Sequence, residues 1–453
     1  MPGLSGMTVR AVPKVPRMPC GAMQVAGLRA RGLQLAPVAV AVAALAFYAN
    51  FILLRAINVP WQDDILDVLG FLLRFADGGS LAERAAALFA PHTDHRTTTS
   101  RIVYLAAWCL QGRVDFRTLT LVSNLSVPIL IGLYSVAMPR GSRLLTLALA
   151  ALVLCQPRAR EFLLWPMSVL AFQGVMLYGF ACILALERLA PWRFALAAVL
   201  GAAAMCSLSS GQFVWLAGAT SLGFACARRE PRAWWYLGCW LVVASAALWL
   251  FRADMPARNP LDMLLETALS MPGHHVLYLV TLLGSAFSFG NPGAAAVLGT
   301  MALAITPFLS VVALRRGHTT LVVFCWYLLL CMAAIVLGRA PYSVPAYALE
   351  GRYSVASLNF SLCLALLALA AWRPGRRAWY GALGLAACFS VASYRVFVPL
   401  TDVVMRDRVA AFNSGTYRVF GQPTQQVMHI VDEAVRRGLY APPSRPMALP
   451  AGG

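Results

Sequence analysis

Long apolar runs separated by short polar connectors recur along the 453-residue chain from near residue 33 to near residue 394, with one sizeable polar interruption early on. A helix needs about 20 apolar residues to cross the hydrocarbon core of a bilayer. Runs of this order lie near 33–54, 118–138, 143–157, 165–187, 192–209, 211–227, 233–251, 294–314, 319–338, 354–372 and 378–394, and they predict about eleven transmembrane helices. A further stretch from His275 to Gly290 is broken by Gly290-Asn291-Pro292-Gly293. It reads as a re-entrant or interfacial helix, which is tolerated where protein covers the backbone. The expected fold is therefore all-α, a polytopic transmembrane bundle. Short amphipathic helices are expected in the first loop, 57–117. One runs from Ile65 to Phe75 with its apolar residues on the bilayer surface. The other runs to Phe89 and is announced by the capping box Ser80-Leu81-Ala82-Glu83.

Composition supports a bilayer protein: 60% of residues are apolar and 12% charged, well outside the soluble globular range. Three regions are expected: a basic, disordered, cytoplasmic 1–32, a membrane domain 33–394, and an extracytoplasmic tail 395–453. The net charge of +19 does not point to nucleic acid, because the arginines sit in short loops between apolar runs rather than on one soluble face. Such loops are retained in the cytoplasm and meet anionic headgroups. With the N-terminus inside, the clusters Arg140/Arg143, Arg188/Arg193, Arg228/Arg229/Arg232, Arg315/Arg316 and Arg373/Arg376/Arg377 all fall on the cytoplasmic side, provided that 275–290 does not cross fully. The apolar run from Leu33 is too long for a signal-peptide core, so it reads as an uncleaved first span. The eleven cysteines lie mostly inside apolar runs with no Cys-x-x-Cys pair, the pattern of small buried hydrophobes.

On this topology the outer face receives 57–117, the turn around Arg158-Ala159-Arg160-Glu161, 252–275 and 339–353. Asp63 and Asp64 follow the first span directly after Trp61-Gln62. A carboxylate there can act as a general base toward a hydroxyl or hold a divalent cation beside a phosphate; equally, the pair can cap the following helix. His92, Asp94 and His95 precede Arg96 and Arg101, a grouping that suits metal or phosphate, although two histidines and one acid fall short of a full ligand set. Asp64, His92 and His95 are the candidates for any divalent cation. Glu161 beside Arg160, and Arg352 before a late span, require a partner or a wet cavity; a structural ion pair satisfies that as well as a site does. Ser207 to Gln212 reads as a polar turn between two spans.

These segments, in this order, resemble a largely uncharacterised bacterial branch of the C-type glycosyltransferases, membrane enzymes that use polyprenyl-phosphate sugars. The likeness rests on Trp61 to Asp64, on Leu88 to Arg96 with its His-x-x-His-Arg pattern, on Glu161 to Trp165, on the turn Cys206 to Gly211 and on Gly351-Arg352-Tyr353. It covers roughly 33–394; Arg160 and Phe162 depart from the family's Trp and Asn beside the acid. The resemblance implies inverting sugar transfer from a polyprenyl-phosphate donor to an envelope glycan or lipid acceptor, at the outer face of the bacterial inner membrane. It assigns Asp63 or Asp64 as the base and places His92, Asp94, His95, Arg96, Glu161, Arg352 and Tyr353 near phosphate or sugar. A transporter of lipid-linked sugars is the competing reading, and would carry polar residues at mid-membrane.

Overall fold

The helices begin and end where local chemistry dictates. Ser80 caps its helix by accepting from the Glu83 N–H while the Glu83 carboxylate reaches back to the Ser80 N–H, the capping box in full. Asp115 accepts from the Thr118 N–H (2.7 Å) and Asn291 from the Ala294 N–H (2.9 Å), each supplying an acceptor to an otherwise unpaired first-turn donor. Proline stands in the first turn of the helices starting at Pro191, Pro272 and Pro292, where no N–H is needed.

The structure, a computed structural model, describes residues 20–93, 95–253, 255, 261–372, 375–416, 419 and 424–447, with the side chains of 20–34 and 261–263 excepted. Among these residues no strand occurs, and the chain runs as α1 (Cys20–Arg55), α2 (Gly70–Asp77), α3 (Leu81–Phe89), α4 (Thr98–Gln111), α5 (Phe116–Ala137), α6 (Arg143–Leu154), α7 (Pro166–Ala185), α8 (Pro191–Met205), α9 (Val214–Ala227), α10 (Ala233–Arg252), α11 (Leu261–Ser270), α12 (Pro272–Gly284), α13 (Pro292–Arg315), α14 (Thr319–Arg339), α15 (Gly351–Trp372), α16 (Arg376–Asn413) and α17 (Thr424–Arg436). Eight of the described helices are long and apolar enough to cross a membrane: α1, α5, α7, α10, α13, α14, α15 and α16. The expected count of about eleven also included α6, α8 and α9, which have 12, 15 and 14 residues. At 1.5 Å per residue these reach only about 18–23 Å, short of the hydrocarbon thickness. The chain around them is interrupted early, by a 3-10 turn at Pro157–Ala159 that leads into one α-helical turn at Arg160–Leu163 after α6, and by a 3-10 turn at Ser209–Phe213 between α8 and α9.

Packing inside the bundle relies on aromatic side chains fitted against glycine. Phe180 stacks on Phe324 at 4.0 Å between centroids, with Tyr134 edge-on to both. Trp240 lies against Gly218, where a Cβ would stand 2.2 Å from the indole, and donates to Trp215 O. Cys155, Cys182, Cys226, Cys325, Cys331 and Cys363 are buried, whereas Cys109 and Cys388 are exposed. Phe47, Val242, Trp249 and Met301 face outward, the side-chain chemistry of a lipid-facing surface.

The first loop departs from its expected place on the bilayer surface. Asp64–Leu69 forms a π-helical segment leading into α2, and Ile65, Val68, Leu69, Phe71 and Leu72 are all buried. Their cover includes the amphipathic α17, whose Val427, Val431 and Ala434 are buried against this segment. The chain beyond 395 thus folds onto the first loop: Tyr440 donates to Asn58 O (2.9 Å), Asn58 Nδ2 to Ala441 O (2.9 Å) and the Val114 N–H to Leu439 O (2.8 Å).

Candidate functional site

The connector leaving α1 turns sharply at Gln62, whose backbone is left-handed (φ 51°), a conformation that costs a residue with a Cβ about 1 kcal/mol or more. Asp64 holds this turn from inside. It is fully buried, and its carboxylate accepts from the Trp61 N–H (3.1 Å) and from the Met167 N–H at the start of α7 (3.2 Å). Neither Asp63 nor Asp64 caps the helix that follows; the Asp63 side chain makes no cap hydrogen bond. Arg408, near the end of α16, packs over the Trp61 ring (5.3 Å) and donates to Leu164 O (2.8 Å) and Val59 O. Burial raises the Asp64 carboxyl from 3.8 to about 7; the Arg408 charge and the two N–H donors oppose the rise, and Asp63 adds to it.

Asp63 is half-exposed and acts electrostatically on Arg352 in the first turn of α15. The Arg352 guanidinium pairs with Glu350 (2.8 Å), donates to the Tyr347 hydroxyl and lies over the rings of Tyr347 (5.6 Å) and Tyr353 (5.1 Å). Tyr353 itself is buried and its hydroxyl has no hydrogen-bond partner among the described residues. Arg158, Arg160 and Glu161 come from the turn after α6. Arg158 is buried and donates to Leu349 O (3.2 Å) and Ser285 O (3.3 Å), and both arginines lie over the Phe397 ring, at 4.9 Å and 5.7 Å. Burial, helped by Arg160, lowers the Arg158 guanidinium to about 10. Glu161 is 3.5 Å from Arg160, the ion pair that its position allowed, and it also acts on Glu350, whose carboxyl is raised by burial against the pull of Arg352. The Nε–H groups of Arg158, Arg160 and Arg352 are buried without an acceptor among the described residues. Three acids and three arginines with open donors thus gather at one end of the bundle.

The histidine-arginine run organises a neighbouring centre built around Asp67. His92 and His95 exchange backbone hydrogen bonds (2.7 and 3.0 Å), the His92 imidazole lies 3.7 Å from Asp67, and the His95 imidazole meets Ser209 in the turn after α8. Asp67 is fully buried and accepts from Thr97 Oγ1 (2.8 Å) and from Arg101 (3.0 Å), whose guanidinium also holds the carbonyls of Ala87, Leu88 and Ala90. Arg96 does not present its guanidinium to a phosphate. It is buried and donates to the carbonyls of Phe251 (3.0 Å), Phe89 and Ala253, fastening the loop to the end of α10. Asp94 lies outside the described residues. Tyr104 feels the charges of both Asp64 and Asp67, so the two centres adjoin. Among the described residues no three His, Cys, Asp or Glu side chains converge as a metal set, and Asp64, His92 and His95 do not form one.

Of the residues that the sequence marks, Asp63, Glu161, Arg352 and Tyr353 fall in the first group, with Arg160, which the sequence marks only as the neighbour of Glu161, and Asp64 buried behind Asp63, whereas Asp67, Glu350, Arg158 and Arg408 are not marked as site residues. Asp67 carried a legible signal, an acid inside the apolar run Ile65-Leu66-Asp67-Val68-Leu69. Arg408 carried none, since nothing local marks an arginine in the tail as acting on an acid 344 residues earlier. No protein-family model matches the chain, and neither does any curated protein or solved structure.

Proposed function

We propose that this chain is a glycosyltransferase of the bacterial inner membrane that passes a sugar from a polyprenyl-phosphate donor to an envelope glycan or lipid at the periplasmic face. The observation that carries this reading is the half-exposed Asp63, which acts electrostatically on Arg352, in a group of loops that also holds Arg158 and Arg160, each of these arginines having an Nε–H without an acceptor among the described residues. The acceptor hydroxyl gives its proton to the Asp63 carboxylate as its oxygen attacks the anomeric carbon from the face opposite the phosphate. The bond from that carbon to the phosphate oxygen breaks, and polyprenyl phosphate leaves with the electron pair. Arg352, Arg158 and Arg160 are suited to receive the charge that develops on the leaving phosphate, because guanidinium–phosphate hydrogen bonds are short and charge-assisted. Asp64 is a positioning residue, since it fixes the turn that presents Asp63.

The distribution of charge favours this over transport without chemistry. Every buried acid and arginine among the described residues, Asp64, Asp67, Arg96, Arg101, Arg158 and Arg408, belongs to this one group of loops or contacts it. A transporter would need such groups at mid-membrane. The test is release of polyprenyl phosphate from a panel of radiolabelled polyprenyl-phosphate hexoses by membranes enriched in the protein. Asp63→Asn is expected to lower turnover by about 10²-fold or more with unchanged thermal unfolding. A folded Asp63→Asn protein that turns over at the wild-type rate would sink the assignment.

A further inference from the structure

At the end of the bundle away from the acids, α9, α13 and α14 leave an apolar groove of about 390 Å³ between them. Its walls include Ala217 and Phe224 from α9, Pro307 and Leu314 from α13, and Trp326 from α14. The Trp326 indole donates to Ser310 Oγ (3.0 Å), which ties α14 to α13 along the groove wall. On α14 the lining extends from Val322 to Leu330. That is about 12 Å at the helical rise, most of the ~15 Å of hydrocarbon in one leaflet. The groove therefore has the length and chemistry of a single acyl chain.

The groove's wall residues Leu314 and Phe224 stand next to a basic rim. Arg315 and Arg316 close α13, and Arg228, Arg229 and Arg232 follow α9; all five are exposed. Arg228 reaches across to Thr319 Oγ1 at the start of α14 (3.1 Å) and pairs with Glu230 (2.9 Å). Glu230 is the one acid in 228–232 and 315–319, so five arginines face one carboxylate there. Arg229, Arg315 and Arg316 form no ion pair among the described residues. A zwitterionic headgroup would bring its own cation into this field, whereas an anionic one is attracted without that opposition.

We propose that the groove and its rim bind one anionic glycerophospholipid, the acyl chain lying between α9, α13 and α14 and the phosphate meeting Arg229, Arg315 and Arg316. This site is separate from the proposed catalytic end: α14 runs from the rim at Thr319 to Arg339, a rise of about 30 Å, before the chain reaches Glu350. The inference does not depend on the sugar-transfer reading.

The test uses the full chain in phosphatidylcholine nanodiscs doped with lipids brominated on the acyl chain, which quench nearby tryptophan. Brominated phosphatidylglycerol is expected to quench the Trp326 contribution, defined as the difference between wild type and Trp326→Phe, at a mole fraction at least tenfold lower than brominated phosphatidylcholine. The combined Arg229→Gln, Arg315→Gln, Arg316→Gln variant is expected to lose that preference, and the corresponding Lys variant to keep most of it. Equal quenching by the two lipids in the wild type overturns the proposal without reliance on any rim variant. So does a lipid preference that survives in a folded Gln variant.

Discussion

Asp63 and Asp64 are adjacent in the chain, yet the turn at Gln62 sends Asp64 inward to two backbone donors, within the field of Arg408, and leaves Asp63 half-exposed within the field of Arg352. The consequence for Asp64 is measurable. Its carboxyl keeps a proton up to about pH 7 in the folded protein, whereas the unfolded chain releases it near the ordinary 3.8. Between those values the folded state binds one more proton, so stability falls as pH rises from about 4 to about 7 and levels off above. The full change is on the order of 4 kcal/mol. Wild type is expected to melt lower at pH 8 than at pH 5 in detergent, with Asp64→Asn removing most of that difference. Identical pH dependence in the two proteins would show that Asp64 is ionised throughout.

Among the elements, α12 shows how contact between backbones can anchor a helix whose 13 residues, about 20 Å, do not reach across the hydrocarbon. It packs on α13 through Gly284 and Gly299: a Cβ on Gly299 would stand 1.7 Å from Val280 O, and one on Gly284 2.0 Å from Ala295 O. Such close approach is how small residues serve helix pairs in lipid. From this position Leu283 O accepts from Ser357, Ser285 O accepts from Arg158, and His274 meets the carbonyls of Ala340 and Ser343. Gly299→Val is expected to destabilise by about 3 kcal/mol or more, because backbone has no rotamer with which to yield. Gly238→Val, in open space, should be neutral. Thermal unfolding of the two variants separates these outcomes. The sequence marked an interrupted helix here, but not the glycine pair, whose members are 15 residues apart and become partners only when the two helices pack together.

For the whole molecule, the C-terminal segment is a wall of the first loop. Tyr440 packs edge-on against Phe116 at 5.4 Å, Arg437 pairs with Asp77, and α17 covers the apolar face of the π-helical segment and α2. Truncation after Asn413 removes this cover and uncovers buried Ile65, Val68 and Leu72. Hydrogen exchange over 59–77 is expected to accelerate at least tenfold in the truncated protein, and limited proteolysis to cut within 56–90. Unchanged protection would mean that the loop folds without the tail.

What the sequence determined by itself was set locally or by length alone. Apolar runs near 20 residues specify membrane helices because the bilayer fixes the length. Ser80 and Glu83 specify a helix start because the donors that they satisfy lie within three residues. Three things were decided only by the tertiary structure: which of two adjacent acids meets water, that Arg96 is consumed by carbonyls of its own loop and α10 while Arg158 and Arg160 each keep an unpaired Nε–H among the described residues, and that the Arg408 charge acts on Asp64. The physical reason is the same in each case. Burial and pairing depend on groups brought from distant parts of the chain, and no local pattern encodes which of them will arrive.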